Sequence, residues 1–541
     1  MRLYSSVPPP PPSSSSSKSV SLATLAGAVA AACGGTYLLA TRLSSPNVRE
    51  TSLDLDFSRP KYGGPAEVQT AIAEFTQLLG ADAVSTDDDD LKRHGYSEWS
   101  TWNTDVNPSV IVYPRSTEQV SQIAKICSKH KLPMVPYSGG TSLEGNISAP
   151  YGGVCIDMAF MDRILAVHEE DMDAVVQPAV DWMDLNLHLE ATGSQLLFGV
   201  EPGPSAKIGG MVNTTCSGTS SVRYGPMRDN IINLTAVLAD GTVIKTRRRP
   251  RKSSAGYSLH HLISGSEGTL AIVTEITVKL HPKPAVTQLA LCTFPTLTDA
   301  TKAASDIIRS GVAVGALEFM NARAMQIVNQ SGITPRVWDE RPTLIMKFVG
   351  TEKGTKEQLS IVDHISKQHN GGNFIYPKTA KEEKELWSAR KEIHWCNIAL
   401  FKGEVPQAWS TDVAVPISRL AEAVDRANEE MDNLGIAGGL LGHVGDGNYH
   451  AGIVFEKDDD DTRARIKEFS RRIVQHGLEL EGTCTGEHGI GAGKIDYLVD
   501  ELGPETVAAM RTIKKSLDPH ELLNPGKVFD AGLLEKRFAS K

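Results

Sequence analysis

Pro136 to Asn146 reads PYSGGTSLEGN. Ser138, Gly139, Gly140, Thr141 and Ser142 would present consecutive backbone N–H groups and hydroxyls with no bulk between them. Such a backbone can wrap a pyrophosphate. The stretch is not GxGxxG, and no lysine follows as in a Walker loop, so neither an NAD-type fingerprint nor a P-loop fits.

The flanks of that stretch set its context. SVIVYP is a short β-branched run from Ser109, and STEQVSQIAKICSKHKL repeats apolar residues at helical spacing. LPMVPYSGG follows as a second strand ending in the glycine turn, which completes a β-α-β unit. EVQTAIAEFTQLLG, just upstream, reads as a helix stopped by Gly80. Asp87 to Asp90 is expected to be a solvated loop. Downstream, GGVCIDM, AVVQPAV, LTAVLADGTVI and LAIVTEITVKL read as strands. Two more small-residue turns join them, EPGPSAKIGGMVNTTCSGTSSVRYG (Glu201–Gly225) and HLISGSEGTLAIVTE (His261–Glu275). Several such loops at strand ends suggest one elongated ligand threaded between them.

The 541 residues exceed what one core usually holds, so two or more domains are expected. The formal net charge is −10, which argues against nucleic-acid binding and permits steered encounters with basic proteins. The 7 cysteines are scattered without a CxxC, which excludes a disulfide framework or a thiolate zinc site. The basic run RRRPRK (Arg247–Lys252) reads as a solvated loop, with an anion contact as the alternative.

A second constellation lies in LLGHVGDGNYHAGIVF, Leu440 to Phe455. Asp446-Gly447 is a two-residue hairpin signal between apolar runs. With those residues as the turn, His443 pairs with His450 and both imidazoles share one face, about 5 Å apart. That spacing suits one ion, and equally a hairpin with exposed histidines. GTCTGEHGIGAGK (Gly482–Lys494) adds Glu487, which would complete a His₂-carboxylate site for zinc, manganese or iron(II).

PYSGGTSLEGN, VEPG, IGGMVNTTCSGTSSVRYG and SGSEGTLAIVTEITVKL resemble the FAD-binding domain of the vanillyl-alcohol oxidase type flavoproteins. With GHVGDGNYH and GEHGIGAGK, the set is similar to the branch of FAD-linked D-lactate and D-2-hydroxyglutarate dehydrogenases, from about Asp87 to Phe529. The resemblance implies an α+β fold: a two-subdomain FAD-binding domain over 66–285 and an α+β substrate (cap) domain with an antiparallel sheet over 286–506. Residues 507–541 would return to the FAD domain. It implies pyrophosphate contacts at Pro136, Ser138 to Ser142 and Gly145. Isoalloxazine and ribityl contacts would lie at Pro202, Gly203, Gly209, Gly210, Ser217 and Gly218. The adenine side would involve Gly268 and Ile272, and Asn524 of LNPGK would touch cofactor or substrate. Covalent-flavin relatives carry histidine where this chain has Thr141, so FAD is expected to be noncovalent.

In the same branch the two histidines and the glutamate hold a divalent metal, and the next histidine is the catalytic base. That assigns His443, His450 and Glu487 as zinc or manganese ligands and His488 as base. Arg390 in LWSARKEIHW would bind the substrate carboxylate, or else pair with Glu385 and Glu392 on a helix surface. Hydroxyglutarate-type relatives carry a lysine where WSTDVAVP has Ser410, which favours a short monocarboxylate such as D-lactate. The expected reaction is oxidation of a D-2-hydroxy acid, with cytochrome c accepting the electrons. Alternatives are a D-2-hydroxyglutarate or glycolate dehydrogenase, an alkylglycerone-phosphate synthase-like transferase, and a non-enzymatic membrane-tethered flavin-fold protein.

The N-terminus has no acidic residue before Glu50, a run of five prolines from Pro8 and abundant serine. This resembles a mitochondrial presequence. Val20 to Ala40 is uncharged, and about 20 apolar residues suffice to cross a bilayer. Residues 1–65 are therefore expected to be a presequence with linker, with 20–40 a possible inner-membrane anchor and the inner membrane or intermembrane space the destination.

Overall fold

A computed structural model describes residues 60–372 and 374–530. The expected presequence and anchor at 20–40 lie outside the described residues, among which no helix is long and apolar enough to cross a membrane.

The β-α-β unit forms where the pattern places it. Ser116 caps the helix Thr117–His130 by accepting from the Gln119 amide, and the strands Val110–Val112 and Met134–Tyr137 flank it. Both pair in parallel with Val154–Asp157, and Val84–Ser85 adds an antiparallel edge. The next sheet has five strands in the order Ile164–His168, Asp173–Val176, Ile272–Lys279, Ile231–Val237 and Val243–Lys245, all antiparallel. The segment Val286 to Glu456 builds a third, antiparallel sheet with Val286–Thr293, Thr343–Gly350, Val314–Met320, Gly439–Gly442, Asn448–Glu456 and Pro406–Ser410 as its path. The short strand Val413–Ala414 also pairs with Asn448–Glu456. Helices Leu297–Arg309 and Leu420–Asn433 bury Ala300, Ala304, Ala423 and Ala427 in the core against it. Mixed helices and antiparallel sheets of this kind make an α+β molecule.

The acidic run is not a loop. Asp87 caps the helix Asp88–Gly95, accepting from the Asp89 and Asp90 amides. Three carboxylates then occupy its first turn, where the free N–H groups favour negative charge.

The tail after the helix Pro504–Leu517 docks onto the first sheet. The Met134 amide donates to the Leu522 carbonyl and the Asn524 amide donates back to Met134, both at 2.7 Å. Buried Lys514 fastens this turn: its ammonium donates to the carbonyls of Thr269 (2.7 Å) and Leu523 (2.8 Å) and to Asp518 (2.5 Å). Replacing it with methionine strands a buried carboxylate and two carbonyls. Lys514→Met is expected to destabilise the chain by roughly 3–5 kcal/mol. In thermal unfolding with limited proteolysis, cleavage near residues 518–527 should appear first; an unchanged melting midpoint would refute this role.

Candidate active site

Three ligand-type side chains converge. One donor atom each from His443, His450 and Glu487 lies within 4.8 Å of the others. Glu487 Oε1 stands 3.1 Å from His443 Nε2 and 3.2 Å from His450 Nε2. The far ring nitrogens are also engaged: His443 Nδ1 meets Glu318 Oε1 at 2.8 Å, and His450 Nδ1 meets the Thr411 carbonyl at 2.9 Å. Acceptors on both Nδ1 atoms hold a proton there, so that a cation displacing any proton on Nε2 would find both Nε2 lone pairs available, the arrangement a metal-ligating histidine requires. Burial opposes charge on His443, yet Glu318 and Glu487 outweigh it and hold the imidazole up at about 10. This pocket of negative charge fits a divalent cation.

The histidines meet by a different register from the expected one. Leu441 pairs with His450, and the loop spans 443–447, closed by the Asp446 and Gly447 amides on the His443 carbonyl. The pairing is displaced by two positions. A shift of two preserves the side-chain face, whereas a shift of one would have reversed it. The rings therefore still lie 5.6 Å apart.

Glu487 and His488 sit on a loop held by Asp412. Asp412 Oδ2 accepts the amides of Gly486 (2.6 Å), Glu487 (2.7 Å) and His488 (3.0 Å). Burial opposes its charge, but His488, Lys494 and His450 keep it ionised, below the usual carboxylate range. The His488 ring stacks on His450, 5.2 Å between centroids at 14°. Its Nδ1 lies 3.8 Å from Glu144 Oε1, beyond hydrogen-bond reach, and Lys494 holds that same oxygen at 3.2 Å. Burial works against the His488 charge; Asp412 and Glu144 more than offset it and raise the group above the ordinary imidazole range. Arg390 Nε donates to Glu318 Oε2 at 2.8 Å, so its partner is neither Glu385 nor Glu392. One buried carboxylate thus orients both His443 and Arg390.

The glycine loops form a cradle next to this site. A Cβ on Gly139 would lie 3.1 Å from Lys207 Cγ, and one on Gly209 would lie 2.5 Å from Pro178. Gly140 and Gly218 have φ of +65° and +133°. The Ser142 and Ser266 hydroxyls are buried without a protein partner. Open backbone and orphaned hydroxyls are what a pyrophosphate-bearing cofactor uses. A cavity of about 300 Å³ bordered by Ser138, Asp181 and Lys207 adjoins the loop. Pro136 and Gly268 touch, with a Cβ on Gly268 falling 3.3 Å from the proline ring. Asn524 Nδ2 donates to the carbonyls of Glu267 (2.7 Å) and Asn146 (3.1 Å), so its amide fastens neighbouring loops. Ser217 joins the two halves, because its hydroxyl donates to Glu487 Oε2 at 2.6 Å.

Comparison with known proteins agrees with this division. Residues 108–247 match the family model "FAD binding domain", and residues 283–528 match "FAD linked oxidases, C-terminal domain". A relative in Arabidopsis thaliana, "D-lactate dehydrogenase [cytochrome], mitochondrial", is 42% identical over 92% of this chain and 89% of its own. The chain belongs to the FAD-linked oxidase family. A second member, "D-lactate dehydrogenase [cytochrome] 1, mitochondrial" of Saccharomyces cerevisiae, is 40% identical over 86% of this chain and 80% of its own. Among solved structures, 4-ethylphenol oxidase from Gulosibacter chungangensis superposes with a TM-score of 0.73 at 18% identity, covering 87% of this chain and 99% of the other. At that identity the likeness concerns the fold, which is the vanillyl-alcohol oxidase type. FAD is the cofactor of this FAD-linked oxidase.

Sequence reasoning missed Glu318, Asp412, Glu144 and Glu267. Glu318 carried a signal, a lone carboxylate inside the apolar run VGALEFM, where only a buried partner could keep it. Glu267 accepts the amides of Ile490 (2.7 Å) and Gly491 (2.6 Å) across more than 200 residues of chain, and nothing local announces that.

Two consequences are measurable. A Cβ on Gly218 would lie 2.2 Å from the Glu201 carbonyl oxygen, so Gly218→Ala is expected to purify largely without flavin, read from its visible absorbance. Asp412→Asn is expected to lower divalent-metal affinity by about 10–100-fold, through misplacement of Glu487. Elemental analysis of dialysed protein, with Glu487→Gln as the metal-free reference, measures this. Equal metal content in the wild type and in Glu487→Gln would dismiss the metal site.

Proposed function

We propose that this FAD-linked oxidase converts a D-2-hydroxy acid, D-lactate, to its 2-oxo acid. The reading rests on the Ser217–Glu487 hydrogen bond, which puts the flavin-side loop against the His443–His450–Glu487 cluster. Hydroxyl activation and hydride acceptance then occur side by side. The printed names of the relatives support D-lactate as substrate.

Residues 66–285 bind the cofactor and 286–506 the substrate, and the C-terminal segment from 507, as far as residue 530, closes back on the first. Ser138, Gly139, Gly140, Thr141 and Ser142, with Pro136 and Gly145, receive the pyrophosphate. Pro202, Gly203, Gly209, Gly210, Ser217 and Gly218 border the ring and ribityl chain, and Gly268, Ile272 and Asn524 border the far end. Bound FAD supplies the acceptor for the C2 hydride. With Thr141 at the position of the linking histidine, the FAD is noncovalent. A zinc or manganese ion held by His443, His450 and Glu487 would supply Lewis-acid polarisation of the substrate hydroxyl. Arg390 presents its terminal nitrogens to the substrate carboxylate. His488 takes the hydroxyl proton, its ring plane fixed by the stack on His450. Ser410 stands where the hydroxyglutarate-type relatives carry a lysine, which favours a monocarboxylate over a dicarboxylate.

The printed term "cytochrome" in the relatives' names and the net charge of −10 support cytochrome c, a basic one-electron carrier, as acceptor. The word "mitochondrial" in those names, with the acid-free N-terminus, supports mitochondrial import. Anchoring at the inner membrane through residues 20–40 is part of the same proposal.

Anaerobic mixing tests the core of this reading. D-lactate should bleach the flavin, and L-lactate, glycolate and D-2-hydroxyglutarate should do so far more slowly. His488→Asn should slow the D-lactate reaction by about 10²–10⁴-fold with flavin content intact. Preferential bleaching by D-2-hydroxyglutarate or L-lactate would reject the substrate assignment.

A further inference from the structure

The basic run Arg247–Lys252 takes no part in the oxidation. Arg249 is committed to Asp171 and Asp173, at 2.7 and 2.8 Å. The rest of the run stands at one end of the five-stranded sheet. The Thr246 amide donates to the Leu234 carbonyl, and Leu234 pairs with Ile276, three residues before Lys279. The Lys279 ammonium donates to the Asp229 backbone carbonyl.

Two buried nitrogens here have nothing to bond. His260 is 4% exposed, and its Nδ1 has no partner. The Arg247 Nε atom is also buried and unpartnered, while another nitrogen of its half-buried guanidinium donates to the Pro250 carbonyl. A buried donor left unsatisfied costs about 1–3 kcal/mol, so such groups usually face a ligand or water. The surroundings are strongly positive. Burial lowers the Lys279 ammonium below its ordinary range; Asp229 opposes that, and Arg251 and Arg247 add to it. His260 is pushed down to about 4 by burial, His261, Arg247 and Lys279. The carboxylates Asp171 and Asp173 are already taken by Arg249, which leaves Glu170 beside Arg251 and Asp229 beside Lys279 to answer the remaining cations. In a chain of net charge −10, such crowding calls for an anion.

We propose that Arg247, Arg251 and Lys279, together with His260, form a binding site for a phosphate-bearing anion, distinct from the flavin cradle. Ile272, on the flavin side, and Lys279 begin and end one strand, which separates the two places by roughly 20 Å. The guanidinium fork of Arg251 suits a phosphate's paired oxygens, Lys279 supplies a point charge, and neutral His260 donates or accepts one bond. The phosphate belongs either to a free phosphorylated small molecule or to a lipid headgroup. Tyr257, 93% exposed beside exposed Arg248, Arg251 and Lys252, leaves the loop open to a lipid surface.

The test uses the FAD-loaded enzyme. Inorganic pyrophosphate is titrated calorimetrically, and sedimentation is measured with phosphatidylcholine vesicles with and without phosphatidylglycerol. Arg251→Gln/Lys279→Gln should weaken binding at least about tenfold and leave flavin content and D-lactate turnover unchanged. The exposed single substitution Arg251→Gln should act in the same direction. Arg248→Gln/Lys252→Gln removes equal charge from the same loop outside the cluster and should change pyrophosphate binding by less than about threefold. Saturable pyrophosphate binding identifies a free phosphate, and binding confined to phosphatidylglycerol vesicles identifies a headgroup. Absence of binding to both probes, or equal weakening by the two double variants, overturns the site.

Discussion

Three consecutive amides, those of Gly486, Glu487 and His488, close on one carboxylate oxygen of Asp412. Charge-assisted hydrogen bonds of this type are about twice as strong as neutral ones. They fix a glycine-rich loop that would otherwise sample many conformations, and they fix it with Glu487 aimed at two imidazoles and His488 stacked on one of them. Lys494, donating to the Asp412 and Cys484 carbonyls while pairing with Glu144, locks the other end. Without the Asp412 anchor, the His443–His450–Glu487 cluster and His488 would both lose their aim.

The same economy governs the junction between the glycine-rich loops of the FAD-binding part and the loop that carries His488. Glu267 receives the amides of Ile490 and Gly491 and the carboxamide of Asn146, while Asn524 binds the Glu267 and Asn146 carbonyls. Burial pushes Glu267 up to about 7, and the two amides and Lys527 pull against it. A polar network of this depth costs much if partly satisfied and rigidifies when complete. Here it ties the loop that carries His488 to the glycine-rich loops of the FAD-binding part. Glu318 serves the substrate side in the same way, its two oxygens shared between His443 and Arg390.

Much of this was legible in the chain. The β-α-β unit announced itself through β-branched runs, a Ser116 cap and a glycine turn, because these are local signals and the fold obeys them. The three ligand residues and His488 stood in glycine-rich motifs that free the side chains to converge. Where local reading failed, a competing local rule explains it. The charge of the aspartates at 87–90 suggests a solvated loop, whereas the first of them caps a helix. The hairpin around Asp446-Gly447 took a five-residue loop, yet kept both histidines on one face because the displacement was even.

The sequence by itself determined the β-α-β unit, the small-residue loops and the presence of His443, His450 and Glu487 in glycine-rich motifs, since these follow from steric freedom and from periodicity within short windows. The carboxylates that orient the set were decided only by the tertiary structure. Asp412 reaches amides more than seventy residues away, Glu318 reaches His443 across 125, and Glu144 meets His488 from the opposite half of the chain. Each is a single charge whose role depends on a partner brought near by packing, and burial alone makes that partner indispensable.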